Sequence, residues 1–377
     1  RFEKDRCPSP LGTKDCRTIT LVAATDEAYA LPLAVMIRST LENLAEGWHV
    51  DLFVLADNVT EGTKAKIKAS WAAFSINTTW IHPDVTGIEN AVSRTGYAGV
   101  PATYFRLMIG ALLPEKVHRA IYLDCDMIVN GDISPLWDMP FDGAIVLAVP
   151  DAYRQKFHTK RLAEVNLSPL PAFAPDDDYF NAGVLVIDLA AWRAAKVGER
   201  ALDVAEKHKA DFASRDQDAM NIILRSQWAP LHPTWNFHEL PQNLSAWQSE
   251  GRRTDELRAL FRAPKIVHFA TGDKPWKAVC FHSTHQPVFL DVLARTHFND
   301  YEVPKLRGVN GLYQLLIGSC ITVNWHLWRG LFHARDPEIL RRLLSFIVKR
   351  PWVLPLYPLW AIYTTLRDGM RHVRGGR

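Results

Sequence analysis

Short apolar runs rich in β-branched residues recur along this chain, each followed by a stretch of helical spacing, and this alternation most limits the folds open to it. Residues 19–25, 51–56, 78–81, 144–149, 183–189 and 266–269 have the length and composition of buried strands. Behind Pro32, the residues Leu33, Ile37, Leu41 and Leu44 repeat at helical spacing. Residues 60–74 form a second helical stretch with Thr60 as its cap, and residues 102–113 a third that stops at Pro114. Further helices are expected at 189–196, 202–212 and 217–225, and residues 119–129 read as one strand with polar residues in its middle. Strands and helices in alternation predict an α/β fold: a Rossmann-like, mostly parallel sheet with helices on both faces. Such sheets bind ligands at the carboxyl ends of their strands. Near residue 299 the strand signal stops and a basic, Trp-rich region begins. The expected organisation is a lead-in over 1–17, an α/β domain over 18–300 and a helical extension over 301–377.

The 48 % apolar and 23 % charged content is that of a folded chain rather than a disordered one. A net charge of only +3 over 377 residues argues against a nucleic-acid binder. The charge is uneven, however. Residues 329–377 hold 10 Lys/Arg against 3 Asp/Glu, a net of +7, and the rest of the chain sums to −4. Cys7, Cys16, Cys125, Cys280 and Cys320 are odd in number and lack C-x-x-C spacing. That argues against a disulfide framework or structural zinc and favours free thiols in a reducing, cytoplasmic setting. No secretory leader pattern is visible. No apolar stretch reaches the roughly 20 residues of a membrane-spanning helix. The longest, 351–364, is interrupted by three prolines.

Asp124-Cys125-Asp126 lies between the apolar runs 120–123 and 127–129. Two carboxylates in an apolar strand are costly unless something compensates them, and a divalent cation does so. Oxygen ligands select a hard ion, and such an ion can neutralise a leaving diphosphate. Alone, Asp-x-Asp is a common chance pattern, equally compatible with a carboxylate pair closing a strand end. His268 ends a second apolar run and is followed by Gly272, Lys274, Pro275 and Trp276. That composition suits a tight loop carrying a cation toward phosphate. An Asp124, Asp126 and His268 set fits Mn²⁺ somewhat better than Mg²⁺, because imidazole is the softer ligand.

Six blocks, in order, carry a resemblance: AATDEAY at 23–29, TYFRL at 103–107, YLDCD at 122–126, YFNAGV at 179–184, DQD at 216–218 and HFATGDKPW at 268–276. Through them the chain resembles glycosyltransferase family 8, which includes bacterial lipopolysaccharide galactosyl- and glucosyltransferases and glycogenin. The resemblance implies a GT-A fold, a UDP-sugar donor such as UDP-galactose or UDP-glucose, Mn²⁺, and transfer with retention to a saccharide acceptor. It implies that Asp26 meets the uracil, that Ala24 supplies backbone contacts and that Tyr29 stacks on the base. Relatives often carry Asn where this chain has Ala28, which weakens that assignment. Arg106 and Asp124 become donor contacts, and Asn181 and Ala182 line the sugar pocket with Gly183 allowing close approach. By the same resemblance Asp151 contacts the acceptor or donor sugar, Asp216 holds sugar hydroxyls, Gln217 lies beneath the anomeric carbon, and Lys274 meets the diphosphate with Gly272 letting the loop close. The bland readings are a capping role for Asp26 and an exposed helix charge for Arg106. An amide is a poor nucleophile, so Gln217 favours a front-face route over double displacement.

Leu340, Leu343, Leu344 and Ile347 repeat at helical spacing beside Arg341, Arg342, Lys349 and Arg350. An apolar stripe edged with cations suits a helix lying on an anionic membrane, as lipid-linked acceptors would require. The competing reading is a helical subdomain whose basic face is merely solvated. Residues 154–178 are expected to form an irregular acceptor lid. A nucleotidyl- or phosphoryltransferase is disfavoured by the lack of a Gly-rich phosphate loop. A non-catalytic sugar-nucleotide binding protein on the same fold is the remaining alternative.

Overall fold

The computed structural model describes residues 17–86, 88, 100–151, 155–238, 254–270, 274–277 and 285–304. Within them the strands are β1 (Arg17–Asp26), β2 (Trp48–Asp57), β3 (Ile76–Ile81), β4 (Arg119–Leu123), β5 (Met127–Val129), β6 (Val146–Pro150), β7 (Phe180–Asp188), β8 (Trp228–Pro230) and β9 (Ile266–His268). Seven of them form one sheet in the order β3-β2-β1-β4-β7-β6-β8. β1 runs parallel to β2, β2 to β3, β1 to β4 and β6 to β8. β7 alone is antiparallel to its neighbours, β4 and β6. The mostly parallel sheet expected from the alternation is therefore present.

Side chains alternate between two cores, one on each face. Ile19, Leu21 and Ala23 of β1 join one core, with Ile121, Leu123, Val184 and Val186. Val22 joins the other, with Tyr122, Leu185 and Ile187. Helix α1 (Ala30–Asn43) fills the first core with Leu33, Met36 and Ile37, joined by Ile67 of α2 (Glu61–Ala69). Thr60 accepts a hydrogen bond from Thr63 N at 3.2 Å, which makes it the cap expected for α2. The second core is closed by residues 101–108 with α3 (Ile109–Leu112), and by α6 (Leu189–Ala194), α7 (Val197–Lys207) and α8 (Arg215–Leu224). Helices α4 (Ser134–Asp138) and α5 (Gln155–Ala163) lie between β5 and β7 in the chain.

Three local expectations change. The expected strand 119–129 is two strands. β4 belongs to the large sheet, whereas β5 pairs with β9 in a separate two-stranded sheet, and the break falls at Asp124-Cys125-Asp126. Two neighbouring carboxylates are poorly accommodated in the middle of a buried ladder, and the chain switches sheets there. The expected helix 102–113 is a 3₁₀ turn over Pro101–Met108 followed by the short α3. Its consecutive residues Tyr104, Phe105, Arg106 and Leu107 are all buried, which a one-sided helix does not produce. The expected irregular lid begins with the helix α5.

By internal contacts the chain divides into two compact units. The first comprises Arg1–His238, Ala259–His268 and Asp291–Asp300, and the second Glu239–Arg258, Phe269–Leu290 and Tyr301–Arg377. In the second, Trp276 packs on Phe289 with ring centroids 5.4 Å apart, and Tyr301 Oη donates to Trp276 O at 2.7 Å. The expected extension over 301–377 lies, apart from its first four residues, outside the described residues, as do residues 1–16 of the lead-in. Among the described residues no helix is long and apolar enough to cross a membrane.

Candidate functional site

The carboxyl end of β4 organises the site. Leu123 pairs opposite Val184, and Asp124 N still donates to Gly183 O at 2.9 Å before the chain leaves the sheet. Met127, the first residue of β5, pairs opposite His268 on β9. This register brings His268 to the turn that holds both aspartates. His268 Nε2 lies 3.2 Å from Asp126 Oδ1 and 3.8 Å from Asp124 Oδ2. One ligand atom from each of the three residues lies within 4.8 Å of the others, the single such group among the described residues. Two carboxylates and an imidazole are a fitting donor set for a divalent cation. The cradle is shaped for it: a Cβ on Gly183 would stand 2.4 Å from His268 Cε1. Cys125 is not a fourth ligand. Its thiol donates to Ala24 O at 2.9 Å, and burial, reinforced by Asp124 and Asp126, pushes its pKa well up.

Arg106 is buried rather than exposed on a helix face. Its Nη1 donates to Asp124 Oδ2 at 3.2 Å and to Ala182 O at 2.8 Å, and its Nε to Thr103 O at 3.2 Å. Burial works against its charge, but Asp124, Tyr122 and Asp216 outweigh that and raise its pKa above the ordinary value. Arg106 Nε also lies 2.9 Å from Asp216 Oδ2, yet that buried oxygen accepts no aligned hydrogen bond. Burial pushes the Asp216 carboxyl up to about 6, with Arg106 pulling it down and Asp124 pushing it further up. Tyr122 Oη donates to Asp124 Oδ1 at 2.8 Å, and burial holds this phenol protonated.

A bulge in β7 opens the other side of the site. Against β6, the register passes from Ala148 opposite Leu185 to Val149 opposite Asn181, so residues 182–184 have no partners on that edge. Their backbone turns to side chains instead. Ala182 N donates to Gln217 Oε1 at 3.0 Å, and Gly183 N to Asn181 Oδ1 at 2.9 Å. Gln217 Nε2 donates to Asp151 Oδ2 and to Tyr179 Oη, both at 3.2 Å. Asn181 Nδ2 reaches Asp151 Oδ2 at 3.4 Å, and Tyr179 Oη donates to Asp218 Oδ1 at 2.6 Å. Asn236 Nδ2 donates to Asn181 Oδ1 at 2.8 Å, and Asn236 Oδ1 faces His268 Nδ1 at 2.9 Å and His238 Nε2 at 3.2 Å.

Arg106, Asp124, Asp126, Asp151, Asn181, Ala182, Asp216, Gln217 and His268 are thus joined, directly or through one another, in one network. Ala24 touches it through Cys125. Asp26 ends β1 and caps the following turn, its Oδ1 accepting from Tyr29 N at 2.9 Å, so the capping reading is realised. Asp57, opposite Asp26 on β2, has its pKa raised by burial and then by Asp26. Lys274 belongs to the second unit, where its buried Nζ donates to Phe269 O at 2.6 Å. Gly272 lies outside the described residues. Sequence reasoning missed Tyr179, Asn236 and His238 as parts of the network. Tyr179 stood inside a quoted block, whereas Asn236 and His238 sit 32 and 30 residues from His268 with no spacing to announce them.

The chain is 31 % identical to General stress protein A of Bacillus subtilis (strain 168), over 71 % of this chain and 91 % of that protein. It is 25 % identical to the lipopolysaccharide 1,2-glucosyltransferase of Escherichia coli (strain K12), over 71 % and 74 %. Among solved structures, the galactosyltransferase LgtC in complex with donor and acceptor sugar analogs superposes with a TM-score of 0.59 at 22 % identity, covering 76 % of this chain and 98 % of that one. That likeness is one of fold and supports the GT-A architecture. The characteristic pattern of glycosyl transferase family 8 matches residues 20–280, the span that holds the whole network, and the chain belongs to that family.

Proposed function

We propose that the chain is a metal-dependent, retaining hexosyltransferase that moves galactose or glucose from a UDP-sugar to a saccharide acceptor. The observation that carries this reading is the Asp124, Asp126 and His268 set standing beside the buried Arg106 and Asp216 pair. Asp124, Asp126 and His268 would hold a divalent cation, Mn²⁺ by the donor set, which when bound would offer positive charge to the departing diphosphate. The family resemblance gives Lys274, two residues after Gly272 in the sequence, the role of a second positive group for that diphosphate. Asp26, Ala24 and Tyr29 hold the base. Asp216 Oδ2, buried and without an aligned donor, is suited to accept from a sugar hydroxyl. Asp151 and Asn181 are suited to the same task on the other side of Gln217.

Gln217 itself argues for a front-face route. Ala182 N–H can only donate, so it fixes Gln217 Oε1 as its acceptor and turns Nε2 toward Asp151 and Tyr179. An amide oxygen already engaged by a backbone N–H is a poorer nucleophile still. The acceptor's proton then goes to the leaving phosphate rather than to a protein base. The name of the Escherichia coli relative supports a hexose donor and a lipopolysaccharide acceptor. The basic stretch 329–377 supports a lipid-linked acceptor, met at the inner face of the cytoplasmic membrane.

Hydrolysis of the donor without acceptor tests the reading. Incubation with UDP-galactose or UDP-glucose should release UDP with Mn²⁺ present. A chelator or Asp126→Asn should remove the activity. Donor binding with no metal-dependent turnover, with or without saccharide acceptors, would instead identify a non-catalytic sugar-nucleotide binding protein.

A further inference from the structure

We propose that Asn236 is a positioning residue that holds His268 as its Nδ1–H tautomer, and that the backbone N–H of Gly183 dictates this choice through Asn181. The inference rests on the metal-binding reading only for what the tautomer is for, namely presenting Nε2 as a lone pair to a divalent cation. The argument for the tautomer itself comes from hydrogen-bond polarity.

A backbone N–H can only donate. Gly183 N donates to Asn181 at 2.9 Å, so Asn181 presents its Oδ1 there. The same oxygen lies 2.8 Å from Asn236, which must therefore present its NH₂ group. With its NH₂ turned to Asn181, Asn236 turns Oδ1 to His268 Nδ1 at 2.9 Å. That oxygen has only lone pairs to offer, so Nδ1 carries the hydrogen, and in the neutral ring Nε2 carries none. Nε2 is the atom aimed at Asp126 and Asp124. Without this relay the opposite tautomer would be favoured, because an Nε2–H could donate directly to the Asp126 carboxylate. Such a proton would occupy the position a cation needs.

His238 does not reverse the order. Its Nε2 lies 3.1 Å from His268 Nδ1 and 3.2 Å from Asn236 Oδ1. Where it donates to Asn236 or accepts from His268, Nδ1 keeps its hydrogen; the reverse arrangement, a His238 Nε2–H donating to Nδ1, would set the Nδ1 lone pair against the lone pairs of Asn236 Oδ1 at 2.9 Å and is disfavoured for that reason. Asn181, Asn236, His238 and His268 are 8 %, 3 %, 7 % and 5 % exposed, so bulk water does not substitute for a lost partner. The relay sits at the irregular part of β7, where residues 182–184 have no partners on β6 and Gly183 N–H is taken by Asn181 Oδ1 rather than by a neighbouring strand.

Two measurements test it. Long-range ¹H–¹⁵N spectra of the metal-free, full-length protein distinguish the two neutral tautomers from the doubly protonated ring and so read the tautomer directly. A proton on Nδ1 of His268 is expected, and a proton on Nε2 overturns the proposal whether or not any metal binds. Mn²⁺ affinity, followed by electron paramagnetic resonance, then reads the consequence. Asn236→Leu removes the acceptor and should weaken Mn²⁺ binding by about 10–100-fold. Asn236→Asp still accepts from Nδ1–H and should recover most of that loss. Equal loss in both folded variants, despite an Nδ1–H wild type, would overturn the role of Asn236 as positioning residue. A wild type that takes up no Mn²⁺ sinks the metal reading instead, while the spectra still judge the relay.

Discussion

Between about pH 4 and pH 6, Asp216 holds a proton in the folded state that it has lost in the unfolded one. Burial raises its pKa from 3.8 to about 6, against the pull of Arg106. Between those values the folded chain binds more protons than the unfolded chain, so stability falls as pH rises through the interval. The contribution is fully present below about pH 4 and lost above about pH 6, and a shift of this size corresponds to about 3 kcal/mol. Asp216→Asn cannot ionise and should lose this slope. Its denaturation midpoint, compared with wild type, should rise more at pH 7 than at pH 4.5. Parallel pH dependences for the two proteins would contradict the assignment. At this scale much of the site was legible: Asp124, Asp126, His268, Arg106, Asp216 and Gln217 stand in recognisable blocks, and the structure joins them. Asn236 and His238 were not legible, because their value comes from hydrogen-bond polarity across three separate segments. A lone Asn after a Trp carries no mark of that.

Helices and strands explain why particular glycines sit where they do. Gly183 lies in the β7 bulge, where a Cβ would come within 2.4 Å of His268 Cε1 and 2.7 Å of Nδ1. Gly198 lies at the start of α7, where a Cβ would stand 2.2 Å from the Leu107 carbonyl oxygen. The two positions separate function from packing. Gly183→Ala should move His268 off the aspartates and reduce Mn²⁺ affinity at least tenfold. Gly198→Ala forces α7 away from the 101–108 turn and should cost about 1–3 kcal/mol of stability while leaving Mn²⁺ affinity unchanged. Calorimetric titration and thermal unfolding of both variants check this. Loss of metal affinity in Gly198→Ala alone would refute the division. The β–α alternation made the main strands and the helices α1, α2 and α6 to α8 visible in the sequence, while α4, α5 and β8 went unannounced. What it hid were the places where a strand stops obeying its sheet: the break at Asp124-Cys125-Asp126 and the bulge at residues 182–184. Apolar residues resume directly beyond each irregularity, because the residues there are buried as well, in a second sheet or against a different neighbour.

At the scale of the whole molecule, the charge distribution separates a mildly acidic body from a basic end. The net of −4 over residues 1–328 and +7 over 329–377 makes the sequence asymmetric in charge even though its total is only +3. For an enzyme whose proposed acceptor is lipid-linked, the basic end is the part suited to an anionic bilayer. Each Lys or Arg near such a surface contributes about 1 kcal/mol. Arg341, Arg342, Lys349 and Arg350 flank the Leu340, Leu343, Leu344 and Ile347 stripe, so together they should account for several kcal/mol of attraction. The full chain should therefore float with vesicles rich in phosphatidylserine or phosphatidylglycerol and not with purely zwitterionic ones. Raising the salt toward 1 M should release much of it, as screening shortens to about 3 Å. Replacing the four cations with Glu in the full chain should weaken vesicle binding by more than a hundredfold. It should leave Mn²⁺-dependent hydrolysis of UDP-sugar unchanged, because none of the four belongs to the Asp124, Asp126 and His268 network. Flotation that persists after charge reversal would show that these four cations do not carry the membrane contact, and no flotation of the wild-type chain would leave the acceptor to be met in solution.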